Sequence, residues 1–300
     1  MSQRVVITGA NGRLGRVLTN YLSERGHQVH GLVRTNPVGA NQSADASPAG
    51  LAQLLKNCDT LLHMASTASA DQASQRAVHV DLTQQLLDAA QQTNLANFVY
   101  FSSIKAVAGE HVPQPLDTQA DPQPQSDYGR YKLAAEQAVV RHEFASTTQA
   151  RIIRLPMVYG PGCEGNFDRL AGFVKRGLPV PVARDNTRSM LSTTNLCAYV
   201  EAVLSGAVAN EQITQQIAHL ADPQPLSSAA LTDLMAQGQR CRNRSLKLPQ
   251  YIGLVAGRLP LVGGYARRLF GTLELDTASL GNWTAPLTTE QAVAEVFAEG

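Results

Sequence analysis

Short apolar, β-branched runs alternate with amphipathic helical segments through the first half of the chain. The strand-like runs are Arg4–Thr8, Val29–Val33, Thr60–His63, Asn97–Ser102 and Ala150–Leu155. Apolar residues recur at helical spacing between several of these runs, at Leu14–Arg25, Gln72–Thr93 and Tyr128–Phe144. Strands that alternate with helices predict a parallel sheet covered by helices on both faces.

The pattern is less regular in three places. Thr35–Gly50 is rich in Ala, Ser, Asn and Pro and predicts a long loop or a degraded strand. His111–Gln125 carries four prolines and predicts a loop before the next helix. After about residue 156 the alternation gives way to pieces punctuated by proline and glycine. We therefore expect an α/β fold, with a Rossmann-like doubly wound parallel sheet over residues 1–155, to which 186–205 returns, and a smaller mixed C-terminal substrate-binding lobe over 156–300.

Composition and charge narrow the class of protein. Hydrophobic residues make up 44% of the chain and charged residues 16%, as in ordinary soluble globular enzymes. The net charge is +1 and no run of Lys and Arg exceeds two residues, so we expect neither a nucleic-acid surface nor a polybasic membrane patch. No apolar stretch approaches the roughly 20 residues of a membrane helix. The N-terminal residues lack the apolar region and cleavage site of a secretory signal.

The four cysteines are widely scattered along the chain. Their positions, at Cys58, Cys163, Cys197 and Cys241, fit neither the spacing of a zinc site nor a disulfide framework. We therefore expect no bound metal and a reduced, cytoplasmic setting.

A glycine-rich turn, Thr8–Gly15, follows the first strand and opens the first helix. In such a turn Gly9 permits a tight bend, Gly12 lets the backbone approach a pyrophosphate, and Gly15 lets helix and strand pack closely. The N–H groups of the helix N-terminus then face the phosphates. The glycines could instead serve an ordinary turn, but their position between strand and helix favours dinucleotide binding. The residues expected around the cofactor are Gly9, Asn11, Gly12, Arg13, Leu14 and Gly15.

The end of the second strand discriminates between the two nicotinamide dinucleotides. An acidic residue there binds the ribose 2′-hydroxyl of NAD, whereas an arginine accepts the 2′-phosphate of NADP. This chain has Arg34 after the strand and no Asp or Glu nearby. The sequence thus favours NADP(H), with NAD(H) as the alternative if Arg34 only stacks on the adenine or faces solvent.

Tyr128 and Lys132 lie four residues apart on a predicted helix and project from one face. A phenol is a poor base at neutral pH, but a neighbouring ammonium group stabilises the phenolate. Ser103, at the end of a strand, offers a hydroxyl that could position a substrate oxygen. The same spacing of Tyr and Lys is common on solvated helices. The pair indicates a catalytic site only in combination with the glycine turn and the serine.

Taken together, these motifs resemble the extended short-chain dehydrogenase/reductase family, in its nucleotide-sugar epimerase/dehydratase branch. The resemblance extends through most of the chain. Its pieces are TGANGRLG (8–15), DTLLHMAS (59–66), FVYFSSIK (98–105), YGRYK (128–132), RLPMVYGPG (154–162), GLPVPV (177–182) and NTRSMLSTTNL (186–196).

The resemblance implies a role for each matching residue. Ser103, Tyr128 and Lys132 would form the catalytic triad. Tyr128 and Lys132 would also contact the cofactor, along which Ala65, Ser66 and Pro156 would lie. In relatives, the asparagine after YGPG and an arginine further on contact the sugar-nucleotide diphosphate, and the matching positions are Asn166 and Arg188. Ser103 would also contact the substrate. Arg188 could instead be an ordinary ion-pair partner.

One position of the catalytic machinery departs from the family pattern. His79 occupies the place where the family usually has an asparagine that orders water near the lysine. The imidazole could relay protons or could mark altered chemistry. In addition, Tyr131 replaces the serine that usually precedes the family lysine.

From these motifs we expect an NAD(P)-dependent oxidoreductase or epimerase acting on a nucleotide-linked sugar, by 4-keto reduction or 4-epimerisation. Arg34 tilts the choice slightly toward the reductase. One alternative is an NADP-dependent reductase of a non-sugar ketone, and another is a catalytically silent NADP-binding sensor. The segments Gln72–Thr93 and Tyr128–Phe144 pair across a dimer interface in relatives, which predicts a homodimer.

Overall fold

The computed structural model describes residues 2–33, 42–43, 47–67, 69, 71–145, 147–161, 165–208, 215–259 and 263–298. Strands β1 to β11 are Arg4–Thr8, Gln28–Val33, Gln42–Ser43, Thr60–His63, Asn97–Ser103, Gln149–Leu155, Met157–Tyr159, Pro181–Ala183, Met190–Ser192, Gln215–His219 and Leu246–Leu248. Helices α1 to α11 are Arg13–Glu24, Pro48–Leu55, Gln72–Arg76, Leu82–Ala90, Asp127–Arg141, Asn166–Lys175, Thr193–Leu204, Ser228–Gly238, Gln250–Ala256, Gly263–Phe270 and Thr289–Glu295.

The main sheet has the strand order β10-β6-β5-β4-β1-β2-β3, and all neighbouring strands are parallel. Successive side chains of β1 point to opposite faces: Val5 and Ile7 join a core with α1 and α7, whereas Val6 joins a core with α2, α4 and α5. Helices therefore cover both faces of the sheet, which confirms the predicted Rossmann-like α/β fold.

Two features differ from the expected arrangement. The helical segment predicted from residues 72 to 93 is interrupted by a π-helical turn at Ala77–Asp81. Strand β10 lies at the edge of the main sheet beside β6, within a part of the chain that the sequence assigned to the C-terminal lobe. Helix α7, within the segment 186–205, contacts α1. The division of the chain at residue 155 stays a prediction.

A second group of elements packs beyond the carboxyl ends of the sheet strands. Helices α6, α8 and α11 share a separate apolar core around Phe167, Met235 and Val293. Two small parallel pairs, β7 with β9 and β8 with β11, accompany it. Among the helices described, none is both long and apolar enough to cross a membrane. Within the same ranges, no group of three or more His, Cys, Asp or Glu side chains is placed to hold a metal ion.

A buried ion pair ties α5 to the sheet. Arg154 of β6 and Glu136 of α5 lie 2.8 Å apart, with side chains only 4% and 3% exposed. The Ser102 hydroxyl donates to the same carboxylate at 2.5 Å, so both carboxylate oxygens accept hydrogen bonds. This network fixes the end of β5 against the helix that carries Tyr128.

We expect Glu136→Gln to lower the free energy of unfolding by about 3 kcal/mol, because it leaves the buried Arg154 guanidinium without a counter-charge. Urea denaturation measures the loss. The control is Lys247→Gln, which breaks the exposed pair with Asp233 and is expected to cost less than about 1 kcal/mol. Equal losses in the two variants would contradict this account of the buried pair.

Candidate active site

The glycine turn between β1 and α1 is closely packed. Gly9 has φ +74°, and a Cβ there would lie 2.9 Å from the Ala65 Cα. At Gly15, a Cβ would lie 2.2 Å from the carbonyl oxygen of Gly9. The first glycine therefore satisfies a left-handed backbone conformation, and the third allows α1 to begin directly against the turn.

The N-terminus of α1 has the features of an anion-binding site. Its N-cap residue, Gly12, supplies no side-chain hydrogen bond to the helix. The first N–H groups of a helix lack intrahelical partners, so an anion can accept from them here. A cavity of about 630 Å³ opens at this point, lined among others by Gly9, Gly12, Arg13, Leu14 and Gly15. Its volume lies within the range of about 300–1,000 Å³ typical of small-molecule and cofactor sites.

The other residues predicted around the cofactor fall into three groups. Ser66, Tyr128 and Lys132 line the same cavity. Asn11 lies within the glycine turn, and Ala65 lies directly against Gly9. Arg34 lies outside the described residues, so the proposed choice of NADP(H) has no structural test. The cradle of glycines, the uncapped helix and the cavity fit a bound dinucleotide.

Tyr128 is placed between two serine hydroxyls. Burial raises the pKa of the phenol, while hydrogen bonds with Ser66 and Ser103 lower it, and the net shift is upward. The Ser103 oxygen also accepts the N–H of Lys105 at 3.2 Å. The sequence led us to expect a lowered phenol pKa, but burial outweighs the favourable contacts here.

Lys132 lies behind the phenol on the buried face of α5. Its side-chain nitrogen donates to the carbonyl oxygen of Phe101 at 2.7 Å, and the residue is 2% exposed. Burial lowers the pKa of Lys132 to about 7, although the nearby Glu136 opposes the shift. The ammonium also lies over the ring of Tyr100, 4.7 Å from its centroid. The amine therefore holds its proton much less tightly than an exposed lysine does.

His79 lies in the π-helical turn and meets Tyr128 edge-on, with ring centroids 5.4 Å apart. It is fully buried, and its ring nitrogens make no hydrogen bond with the described residues. Burial, and then the charge of Lys132, lower the pKa of His79 to about 4, although the Thr67 backbone opposes the shift. The imidazole is accordingly neutral at physiological pH.

A second cavity of about 300 Å³ adjoins the reaction centre on the side of the C-terminal elements. Three of the predicted residues, Pro156, Asn166 and Arg188, line it together with Ser103. Asn166 begins α6, and Arg188 precedes β9. Asn166 and Arg188, predicted for the substrate, therefore line a different cavity from the glycine turn. Pro156, predicted beside the cofactor, lines this second cavity and not the first. Tyr128 lines the first cavity and Ser103 the second, and the serine hydroxyl lowers the pKa of the phenol, so these two side chains mark the junction of the cavities.

The sequence did not reveal the charge cluster in the second cavity. Glu110 pairs with Lys105 at 2.8 Å, with Arg188 at 3.1 Å and with Arg268 at 3.6 Å. Burial raises the pKa of Glu110, but Lys105 and Arg188 lower it by more in sum. One carboxylate thus faces three cations, which leaves an excess of positive charge for an anionic ligand. Arg188 both lines the cavity and forms an ion pair, so the two roles weighed for it coexist.

The fold and the two cavities define a dinucleotide-binding α/β protein with a serine, a tyrosine and a lysine at its reaction centre. The family model described as the NAD dependent epimerase/dehydratase family matches residues 5–190. The chain belongs to this family. This family includes the nucleotide-sugar branch of the extended short-chain dehydrogenase/reductases, and the sequence motifs had indicated that branch.

The named relatives include an epimerase and a reductase, and these are the two reactions predicted from the sequence. A UDP-glucose 4-epimerase of Vibrio cholerae is 26% identical, over 97% of this chain and 93% of its own. A dTDP-4-dehydrorhamnose reductase of Mycobacterium tuberculosis H37Rv is 29% identical, over 76% and 80%. Among solved structures, a UDP-N-acetylglucosamine 4-epimerase from Bacillus cereus superposes with a TM-score of 0.78 at 18% identity, covering 99% of this chain and 98% of its own. At that identity the likeness concerns the fold alone.

We expect Gly15→Ala to weaken dinucleotide binding by at least about tenfold, or ~1.4 kcal/mol. The added Cβ would lie 2.2 Å from the Gly9 carbonyl oxygen and push α1 off the turn. Calorimetric titration with NADPH and NAD⁺ measures the affinity. Gly172→Ala in α6 is the matched control, since no atom lies within 4 Å of its added Cβ. Undiminished binding by Gly15→Ala would refute the proposed cradle.

Lys132→Met tests the lowered amine pKa through stability. The pKa of Lys132 is about 7 in the folded protein and near 10.5 when unfolded, so between these values the unfolded chain binds the extra proton. The wild type should therefore gain stability relative to the variant as pH rises from 7 to 9.5, and show no such gain below 7. Urea denaturation at several pH values measures the difference. Lys175→Met controls for loss of one positive charge, and a pH-independent difference for Lys132→Met would overturn the assignment.

Proposed function

We propose that the protein catalyses NAD(P)-dependent oxidoreduction at a carbon of a nucleotide-linked sugar, either as a 4-keto reductase or as a 4-epimerase. The observation that carries this proposal is the position of Tyr128 and Ser103, which line the first and the second cavity and lie close enough for the serine hydroxyl to lower the pKa of the phenol. A substrate oxygen at this junction would reach both hydroxyls. The names of the relatives, epimerases and reductases of nucleotide sugars, support the same class of reaction.

A bound nicotinamide ring would supply or accept the hydride. The residues of this chain would handle the proton. Ser103 would hydrogen-bond the substrate oxygen, and Tyr128 would exchange a proton with it. Because burial raises the pKa of Tyr128, the phenol rests in its protonated form and is ready to donate to an oxygen that gains negative charge. Lys132 would hold the cofactor ribose and, with a pKa of about 7, could return a proton to the phenol.

The second cavity fits the diphosphate of a nucleotide sugar. Arg188 and Arg268 approach it with guanidinium groups, which bind phosphate oxygens in bidentate fashion. Asn166 adds an amide at the N-terminus of α6. Glu110 forms ion pairs with Arg188 and Arg268, and it would share these two cations with a bound diphosphate.

The choice of cofactor and direction is a narrower proposal. Arg34 and the absence of an acidic residue after β2 favour NADP(H), and a reductase uses NADPH as a consumed substrate. The protonated resting state of Tyr128 also suits proton donation during reduction. Against this, the V. cholerae relative that spans nearly the whole chain is named as an epimerase. The two reactions differ in whether the cofactor is consumed.

Tyr128→Phe should bind the dinucleotide as the wild type does but lose about 10²–10⁴-fold in turnover, because it removes the transferred proton. Tyr131→Phe, on the same helix, is the matched control and should keep most of its activity. Steady-state assays with separately measured cofactor affinity provide the test. Unchanged turnover of Tyr128→Phe on the true substrate would exclude its assignment.

Substrate class and direction need a separate experiment. We would titrate UDP and dTDP, then incubate UDP-glucose with NAD⁺ and dTDP-4-dehydrorhamnose with NADPH. Isomerisation without net change in nicotinamide absorbance would identify an epimerase, whereas stoichiometric oxidation of NADPH would identify a reductase. Failure of both nucleotides to protect against thermal unfolding would favour a non-sugar ketone. Cofactor binding without turnover would favour the silent sensor. We also propose a homodimer, which light scattering measures.

A further inference from the structure

A long stretch near the C-terminal end carries many cations and no acids. It runs from Arg240 to Leu273 and is called here the basic segment. Seven of the 25 Lys and Arg residues of the chain fall within it, and none of the 24 Asp and Glu residues does. Positive charge is thus concentrated in one part of a chain whose overall charge is only +1. The cations are Arg240, Arg242, Arg244, Lys247, Arg258, Arg267 and Arg268.

Large apolar side chains within the basic segment face outward. Tyr251, Val255 and Leu259 are exposed by 66%, 60% and 56%. They follow one another at intervals of four residues along α9 and the turn after it, so they form a stripe on one side. Ile252 is also exposed beside this stripe. Exposed apolar groups that lie together, unlike single ones, indicate an interaction surface.

The opposite side of α9 packs against α10. A Cβ at Gly253 would lie 1.8 Å from the ring of Phe270, and one at Gly263 would lie 2.5 Å from the Gly257 carbonyl oxygen. The two helices therefore pack nearly backbone to backbone as a hairpin. The stripe cannot turn inward without breaking this contact, so its exposure is built into the fold.

Three cations in the described part of the basic segment have no ion-pair partner. Among the described residues, Arg242, Arg244 and Arg258 are exposed and form no ion pair. Arg258 directly precedes Leu259 at the end of the stripe. Exposed apolar groups and unpaired cations in one segment are what an anionic lipid surface binds, with tyrosine at the headgroup level and arginine at the phosphates.

We propose that the basic segment docks the protein on an anionic membrane surface. A stable protein interface buries about 800 Å² per partner, whereas α9 is seven residues, or about 10 Å, long. The sequence predicted no membrane contact because its cations are dispersed rather than contiguous.

Docking would hold the second cavity close to the bilayer. Helix α10 carries Arg268, which pairs with Glu110 in that cavity, and Leu269, which lines it. The proposal does not rest on the proposed function, since lipid binding is measured without turnover.

The test is co-sedimentation of the full chain with vesicles of phosphatidylcholine, with and without phosphatidylglycerol. We expect binding only to the anionic vesicles, and its loss as salt is raised. Replacing Arg242, Arg244 and Arg258 together by glutamate should weaken binding by tenfold or more. The pair Tyr251→Ser and Val255→Ser should weaken it as well while leaving the melting temperature near that of the wild type.

Arg169→Glu and Phe173→Ser, at exposed positions of α6, are the matched controls and should leave vesicle binding unchanged. Equal binding to neutral vesicles, or none to anionic ones, would overturn the proposal. So would stripe variants that alter the oligomeric state by light scattering but not vesicle binding, since a second copy of this chain would then be the occupant.

Discussion

The whole site depends on how closely α5 lies against the end of β5. Gly129 makes this approach possible, because a Cβ there would lie 2.1 Å from the carbonyl oxygen of Lys105. On the same helix face, Lys132 donates to the Phe101 carbonyl and Glu136 accepts from Ser102. These contacts hold successive turns of the helix to one strand end. Tyr128, next to the glycine, is thereby brought to the serine that ends the strand.

The same burial that positions these groups also sets their charge. It raises the pKa of Tyr128 and lowers those of Lys132 and His79 to about 7 and about 4, and each shift favours the neutral form. In the second cavity Glu110 shows the opposite behaviour, because Lys105 and Arg188 outweigh burial and lower the pKa of its carboxyl group. A weakly charged reaction centre therefore adjoins the second cavity, which is lined by several charged side chains. An anionic group bound in that cavity would be held beside the reaction centre.

Features encoded within a few neighbouring residues could be predicted from the sequence. Strand β1 has the predicted range, and the glycine turn follows it as predicted. Helix α5 begins and ends within a few residues of its predicted bounds. Features that depend on distant partners could not be predicted. The π-helical turn at Ala77–Asp81 leaves helical spacing nearly intact, and the contact of Glu110 with Arg188 joins residues separated by 78 positions in the sequence. Strand β10 is recognisable only by its pairing with β6.

His79, where the family resemblance leads one to expect asparagine, is held by a chain of hydrogen bonds whose directions can be deduced. The Thr8 oxygen accepts the N–H groups of Met64 and Ala65, so its own proton must go to Nδ1 of His63. The Nε2–H of His63 then donates to Thr83, whose hydroxyl donates to the His79 carbonyl. This chain fixes the π-helical turn relative to β1. Because the imidazole is neutral, it carries one donor and one acceptor nitrogen beside the ring of Tyr128, and a side-chain amide also carries both functions. The replacement therefore keeps a polar, uncharged side chain at this position next to Tyr128.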